Sequence, residues 1–296
     1  LIPVDVIRES VIPEASRSPF EAKMKVFIIE EAERMNPAAQ NALLKTLEEP
    51  PTDTVFVLIS DREEELLETI SSRCRVVRLE SVPEHRIVSL LVRQGVSEDL
   101  ALVAARVSDG DLERALTVAL DDSAGQRRRL WLSIPHRLSS PVDALDAAAE
   151  VMDEVKQGVL ALEASQKAEA QELADIIGER RGTAAARNSL AKKHKRESRR
   201  REEELLGEAL QTIGSFYRDV LAIRMGGAEA VSNIDIMSEL ETWAGAAVDD
   251  GALLRAAERC VETRATFVSN ANPTLAIEAT LVEIGRLVPA EVRVHG

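Results

Sequence analysis

The sequence predicts a small α/β unit followed by an all-helical remainder, on three observations. Short apolar runs rich in β-branched residues fall at Val26–Ile29, Val55–Ile59 and Val76–Leu79, each of strand length. Helical signals lie between them, so the order reads strand, helix, strand, helix, strand, the pattern of a parallel sheet. From Pro83 onward strand formers thin out and apolar residues recur at steps of three and four, the period of an amphipathic helix.

The first two runs are uninterrupted by polar residues, as expected of parallel strands covered on both faces. Asn36 is placed as a helix N-cap with Pro37 in the first turn. Ala42, Leu43, Leu44 and Leu47 supply the apolar face, and Pro50-Pro51 stops the helix. Arg62–Ile70 is the second helical candidate. Beyond it, Pro83–Gln94, Glu98–Val107 and Asp111–Ala119 predict short helices broken at Gly95 and Gly110. Asp121–Arg129 is polar and reads as a linker. The block at roughly 130–290 reads as long helices, with Leu205, Ala209, Ile213, Phe216, Val220 and Ile223 tracing one face. The last helix opens with Asn272 as cap and Pro273 behind it, then runs through Leu275, Ala279 and Val282. No repeat recurs at a fixed period.

A length of 296 residues suggests two or three domains. With 30% charged and 45% hydrophobic residues, the composition argues against disorder. No window approaches about 18 uncharged apolar residues, so no membrane span is expected. The net charge of −14 excludes nucleic acid coating by the whole surface. It still allows a local basic patch, and 192–201 is one: Lys192, Lys193, Lys195, Arg196, Arg199, Arg200 and Arg201 stand with His194 and the single acid Glu197. The favoured reading is a solvated extension of the helix that continues at Leu205, with Arg199/Glu203 and Arg200/Glu204 paired at i,i+4. The sharper reading is a contact for DNA phosphates. Cys74 and Cys260 lack metal-type spacing, and the histidines at 85, 136, 194 and 295 are scattered. Neither a disulfide framework, a zinc site nor a catalytic triad is expected, and a reducing cytoplasm fits. Cys74 reads as a small buried hydrophobe. The opening Leu1-Ile2-Pro3 has neither an initiator Met nor a leader-like stretch. No signal peptide is expected, and a longer parent chain stays open.

The first run ends in Glu30-Glu31. A carboxylate pair at the carboxyl end of a parallel strand sits where α/β sheets bind ligands. In nucleotide hydrolases the first such acid holds Mg²⁺ and the second orients water. The pair alone is weak evidence, because strands often end in acids where they leave the core. The second run ends in Ser60-Asp61 at the same edge, and Ser71-Ser72-Arg73-Cys74-Arg75 precedes the third. From spacing alone, Arg73 is an ion-pair partner for Glu64 or Glu68.

Lys25–Ala32, Asn41–Pro51 and Ser72-Arg73-Cys74 stand in the order and spacing of the bacterial polymerase III clamp-loader subunits of the AAA+ family. The run Asn41–Pro51 is long and distinctive, and the delta-prime branch fits best. By motif the resemblance covers about the first 120 residues. It implies a partial AAA+ parallel-sheet core over 1–80, a three-helix lid over 81–122 and a helical oligomerisation collar over 123–296. Asn270-x-Asn272-Pro273 with Leu275–Glu278 is similar to the end of the family's collar. Carried over by position, Glu30 stands at the Mg²⁺-binding acid and Glu31 at the catalytic glutamate. Ser60, or Asp61, stands at the first sensor and Arg73 at the arginine finger.

Three departures bear on what that implies. No Gly-x-x-x-x-Gly-Lys-[Ser/Thr] phosphate loop occurs, and no Gly precedes a Lys. The family's loop lies upstream of Leu1, so this departure decides nothing alone. Glu30 replaces an Asp, shifting the carboxylate by roughly an ångström, which octahedral Mg²⁺ tolerates poorly. Glu113 stands where the family's ATPases carry a nucleotide-sensing Arg, and Arg114 projects about 100° away on the helix. The resemblance therefore implies a non-hydrolysing, stator-type accessory subunit of polymerase III. It would help load the sliding clamp on primer–template DNA in replication. It would lend Arg73 to a neighbouring ATPase, with no cofactor or metal of its own and ATP and Mg²⁺ in the neighbours. The implied partners are the gamma/tau and delta subunits, the sliding clamp and primer–template DNA, with no membrane. The alternatives are an ATP-hydrolysing gamma/tau-type motor with its phosphate loop upstream, and a DNA-binding helical adaptor using 192–201.

Overall fold

The computed structural model describes residues 2–19, 22–177, 183–267 and 272–288. Contacts divide the chain into two compact units, Leu1–Glu80 and Ser81–Gly296. Helices of eight or more residues are labelled in chain order.

In the first unit, β1 (Lys25–Ile29) and β2 (Thr54–Leu58) pair in parallel, from Lys25 opposite Thr54 to Ile29 opposite Leu58. The pairing runs one step further, with the Ile59 N–H donating to the Ile29 carbonyl at 2.9 Å. α1 (Pro37–Glu48) forms where its punctuation predicts. Asn36 is extended and its Oδ1 accepts the Ala39 N–H at 2.8 Å, satisfying an otherwise orphaned donor. The buried face, with Ala39 and Leu43, packs on Ile7, Ile29, Ala32 and Met35.

The sheet departs from expectation in two ways. Val76–Leu79 is not a strand: a ladder needs a partner, and none lies alongside it among the described residues. Val77 and Leu79 are 71% and 92% exposed. The strands are also covered on one face only. Val26, Ile28, Val55 and Val57 share the other face and are exposed, whereas Ile29 is buried and Phe56 and Leu58 pack against the core.

Arg62–Ile70 is not one helix either. It forms a 3₁₀ turn at Glu63–Glu65 and a single α turn at Glu68–Ser71, with Leu66 and Leu67 extended between. The cause is Gln40, buried on α1 and absent from the sequence expectation. Its Oε1 accepts the Leu67 N–H at 2.7 Å. Its Nε2 donates to the Met35 carbonyl at 3.0 Å and the Glu65 carbonyl at 3.4 Å. One side chain thus supplies partners that a continuous helix would find in its own backbone. Gln40→Ala removes all of these and leaves a void. It is expected to destabilise the protein by about 2–3 kcal/mol in urea unfolding, against nearly none for a solvent-facing Gln.

The second unit begins with α2 (Glu84–Arg93), α3 (Glu98–Ser108) and α4 (Leu112–Leu120), packed around Ile87, Leu91, Ala101, Ala104 and Ala115. Ser97 and Asp111 cap α3 and α4 with their side chains. Gly110 makes the turn at φ +84°, and a Cβ there would lie 2.4 Å from the Ser81 Cβ, so the position excludes larger residues on both counts.

The predicted linker at 121–129 is instead part of α5 (Asp122–Ser133), capped by Asp121. Its polar sequence misleads because Arg127 and Arg128 are buried. Arg128 donates to Asn233 Oδ1 and Asp235 Oδ1, both at 2.8 Å, partners more than 100 residues downstream that no local pattern reveals. Then come α6 (Pro141–Ile177), α7 (Thr183–Arg224), α8 (Met237–Ala244), α9 (Asp250–Thr266) and α10 (Pro273–Leu287). The α7 face predicted by periodicity is the centre of the core: Leu205, Ala209, Ile213, Phe216 and Val220 are buried, and Ile223 packs at the edge. Gly158 lets α6 approach, since a Cβ there would meet Leu205 Cδ1 at 2.5 Å. In α10, Asn272 caps the Leu275 N–H as predicted. The buried face runs through Ile277, Thr280, Leu281 and Ile284, while Leu275 and Ala279 are exposed. Asn270 and His295 lie outside the described residues. Among the described residues, no helix is long and apolar enough to cross a membrane.

Candidate functional site

The parallel register brings the ends of β1 and β2 together, and with them Glu30, Glu31 and Ser60 at one sheet edge. Glu30 is exposed. Glu31 adopts left-handed backbone, φ 50° and ψ 50°, which is uncommon for a residue with a side chain. That turn lets the Ala32 N–H reach the Ile59 carbonyl at 2.8 Å. It also commits the Glu31 carboxylate to Arg34, whose guanidinium lies 2.9 Å away. Ser60 Oγ accepts the Arg62 N–H at 3.2 Å. Among the described residues, no cluster of His, Cys, Asp or Glu stands ready to hold a metal. The donors present do not fit a Mg²⁺ site: one carboxylate is ion-paired and its neighbour carries an extra methylene.

Arg73 follows the Glu68–Ser71 turn. Its ion-pair partner is neither Glu64 nor Glu68 but Glu48, near the end of α1. The sequence spacing misses this because the pair spans 25 residues and forms only once the turn packs on α1. The same guanidinium donates to the Thr69 carbonyl at 2.9 Å and to Ser72 Oγ at 3.4 Å. The side chain remains 31% exposed, so the group is held in position and reachable from outside. Cys74 beside it is only half-buried, and desolvation pushes its thiol pKa up. Full burial pushes the Cys260 thiol up to about 12. Neither is poised as a thiolate.

Residues 192–201 lie on α7, and Lys192, Lys193, Lys195, Arg196, Arg199 and Arg200 are exposed. Arg199 pairs with Glu203 at 3.1 Å and Arg200 with Glu204 at 3.0 Å, as their spacing predicts. Lys193 pairs with Glu197 and Arg201 with Glu204, both at 3.5 Å. Gln166 of α6 donates to Glu197 at 2.9 Å, tying the basic stretch to its neighbour. The run is helical and its charge is partly neutralised along the helix.

Residues 1–83 match the family described as DNA polymerase III, delta subunit. This match, over the first part of the chain, agrees with the resemblance to clamp-loader subunits drawn from the motifs. The curated relatives include proteins named DNA polymerase III subunit delta'. That of Escherichia coli is 37% identical over 138 residues, 46% of this chain and 41% of that protein. That of Bacillus subtilis is 34% identical over 117 residues, 40% of this chain and 36% of that protein. The chain thus matches about two fifths of the length of these relatives. A solved gamma subunit-related protein of Thermotoga maritima superposes at a TM-score of 0.46 and 18% identity, over 97% of this chain and 80% of that one.

Proposed function

We propose that this chain is a stator-type, non-hydrolysing subunit of a clamp loader, which lends Arg73 to the nucleotide site of an adjacent ATPase subunit. The observation that supports it is the setting of Arg73, whose guanidinium is held on a fixed turn by the Thr69 carbonyl and Glu48 and is still reachable from solvent. A planar, permanently charged guanidinium suits a γ-phosphate held by a neighbour. In this reading residues 81–122 act as the lid and 123–296 as the collar that joins gamma/tau and delta. The loaded clamp and primer–template DNA are reached through the assembly, with the exposed cations of 192–201 as a further contact for phosphates. ATP and Mg²⁺ reside in the motor subunits.

The test is reconstitution of the loader with and without the intact parent protein, alongside the parent protein alone. DNA-stimulated ATP turnover is expected to require the parent protein in the assembly, and the protein alone to show no turnover. Hydrolysis by the isolated protein would establish the motor reading instead.

A further inference from the structure

Beyond the core of the second unit, α6 and α7 continue as an antiparallel pair. Gly158 lies against Leu205, and further out Gln166 meets Glu197 and Ser198. Among the described side chains of this pair, over 156–171 and 190–204, only Gln166 is buried. The basic run therefore stands on a helix steadied by its neighbour and solvated on its outer side.

At 100° per residue, Lys192, Lys195, Arg196 and Arg199 fall within an arc of about 100°. That arc faces away from α6, which is met instead by His194, Glu197 and Ser198. All four cations are exposed. The one acid inside the run, Glu197, is turned from the arc: it accepts from Gln166 at 2.9 Å and pairs with Lys193 at 3.5 Å. Arg199 has Glu203 at 3.1 Å, whereas Lys192, Lys195 and Arg196 form no ion pair among the described residues. No neighbour along the helix can supply one, since every residue three or four positions from them is Asn, Ser, Ala, Lys or Arg.

Lys192/Arg196, Lys195/Arg199 and Arg196/Arg200 are instead like charges at i,i+4, a spacing that weakens a helix. A line of anions along the stripe would offset that repulsion. From Lys192 to Arg199 the helix rises by about 10 Å, the axial length of about three successive phosphates on one DNA strand.

We propose that this stripe binds the backbone of duplex DNA, with Lys192, Lys195 and Arg196 each on a phosphate. Such contacts position the duplex and carry no base information, so the binding is independent of sequence. The proposal rests on the reading of 192–201 as a phosphate contact, and it names the partner and the residues that hold it.

The test is fluorescence anisotropy of a labelled duplex of about 30 base pairs, titrated with the full chain alone. Binding is expected to weaken about fortyfold between about 50 and 200 mM salt, as release of counterions from three phosphates requires. Replacing Lys192, Lys195 and Arg196 together by Gln should weaken it at least about tenfold at the lower salt and flatten the salt dependence. Lys23→Gln, Arg93→Gln and Arg129→Gln together remove the same charge from exposed sites elsewhere, and should leave binding nearly unchanged. A duplex of scrambled sequence should bind as well as the first. Without DNA, the stripe variant should melt no lower than the parent, since it removes like-charge repulsion. The proposal is overturned by absence of binding at about 100 µM chain and low salt, by equal losses in the two triple variants, or by a clear loss of stability in the stripe variant. Tighter binding of polyglutamate than of DNA would also overturn it and make the partner an acidic protein. ATP turnover is not read, so failure here leaves the role of Arg73 as it stands.

Discussion

Replacing Arg73 by Ala in the reconstituted loader is expected to lower DNA-stimulated ATP turnover by about 10³-fold, with assembly unchanged on gel filtration. The size of the effect follows from where the guanidinium would act. Against a transferring phosphoryl group in a closed interface, a fixed cation faces charge that develops in the transition state, and little water screens it. The ties that Arg73 makes within its own chain are weak by comparison. Its pair with Glu48 is solvent-exposed and of the kind worth about 0–1 kcal/mol. Exchanging Glu48 for a phosphate is therefore easy, and losing the pair does not unfold the chain. Arg73→Lys keeps the charge but not the planar fork, and should recover turnover only in part. Glu48→Gln should leave turnover within a few-fold of the parent, since the Thr69 carbonyl still positions the side chain. Full turnover in Arg73→Ala would reduce Ser72-Arg73-Cys74 to a structural turn.

Asp219→Ala is expected to destabilise the second unit by about 3–5 kcal/mol, read by urea unfolding. Asp219 lies on α7 with no exposed surface. Its Oδ2 accepts the Asn233 N–H at 2.8 Å, the Asn233 side-chain amide at 2.7 Å and the Ser232 N–H at 3.1 Å. Its Oδ1 accepts from Arg218 at 2.9 Å. Asn233 Oδ1 in turn accepts from Arg128, so the carboxylate anchors the segment that holds α5 against α7. Truncation leaves the Ser232 and Asn233 backbone N–H groups without this acceptor, and a buried donor so orphaned costs about 1–3 kcal/mol. In a unit of this size the loss corresponds to a melting temperature lower by roughly 10 °C. Asp219→Asn retains one acceptor but presents an NH₂ to other donors, so it should fall between parent and Ala. A loss in Asp219→Ala below about 1 kcal/mol would mean that the 231–235 segment finds other acceptors.

The same contrast between local and remote information separates what was legible from what was not. α1 was legible to its ends because Asn36, Pro37 and Pro50-Pro51 act through their own backbone neighbours. The core face of α7 was legible because helical periodicity alone places Leu205 to Val220 on one side. Glu30, Glu31 and Ser60 could be placed at one edge because parallel strands align their carboxyl ends. The α5 helix was hidden, since Arg127 and Arg128 read as solvent-exposed until their burial is seen. The third strand failed because β structure depends on a partner that the run Val76–Leu79 does not carry within itself. The broken helix at 62–70 depended on Gln40, and the setting of Arg73 on Glu48, each contributed by an element earlier in the chain.

The sequence by itself determined the helix caps, the apolar periodicity and the motif spacing that residues 1–83 share with the family model they match, because these act within a few residues or survive as a linear pattern. Only the tertiary structure decided which charges are buried and which ion pairs form. Those properties depend on how far water is excluded and on which distant groups come within hydrogen-bonding reach, and neither is set by any one stretch of chain.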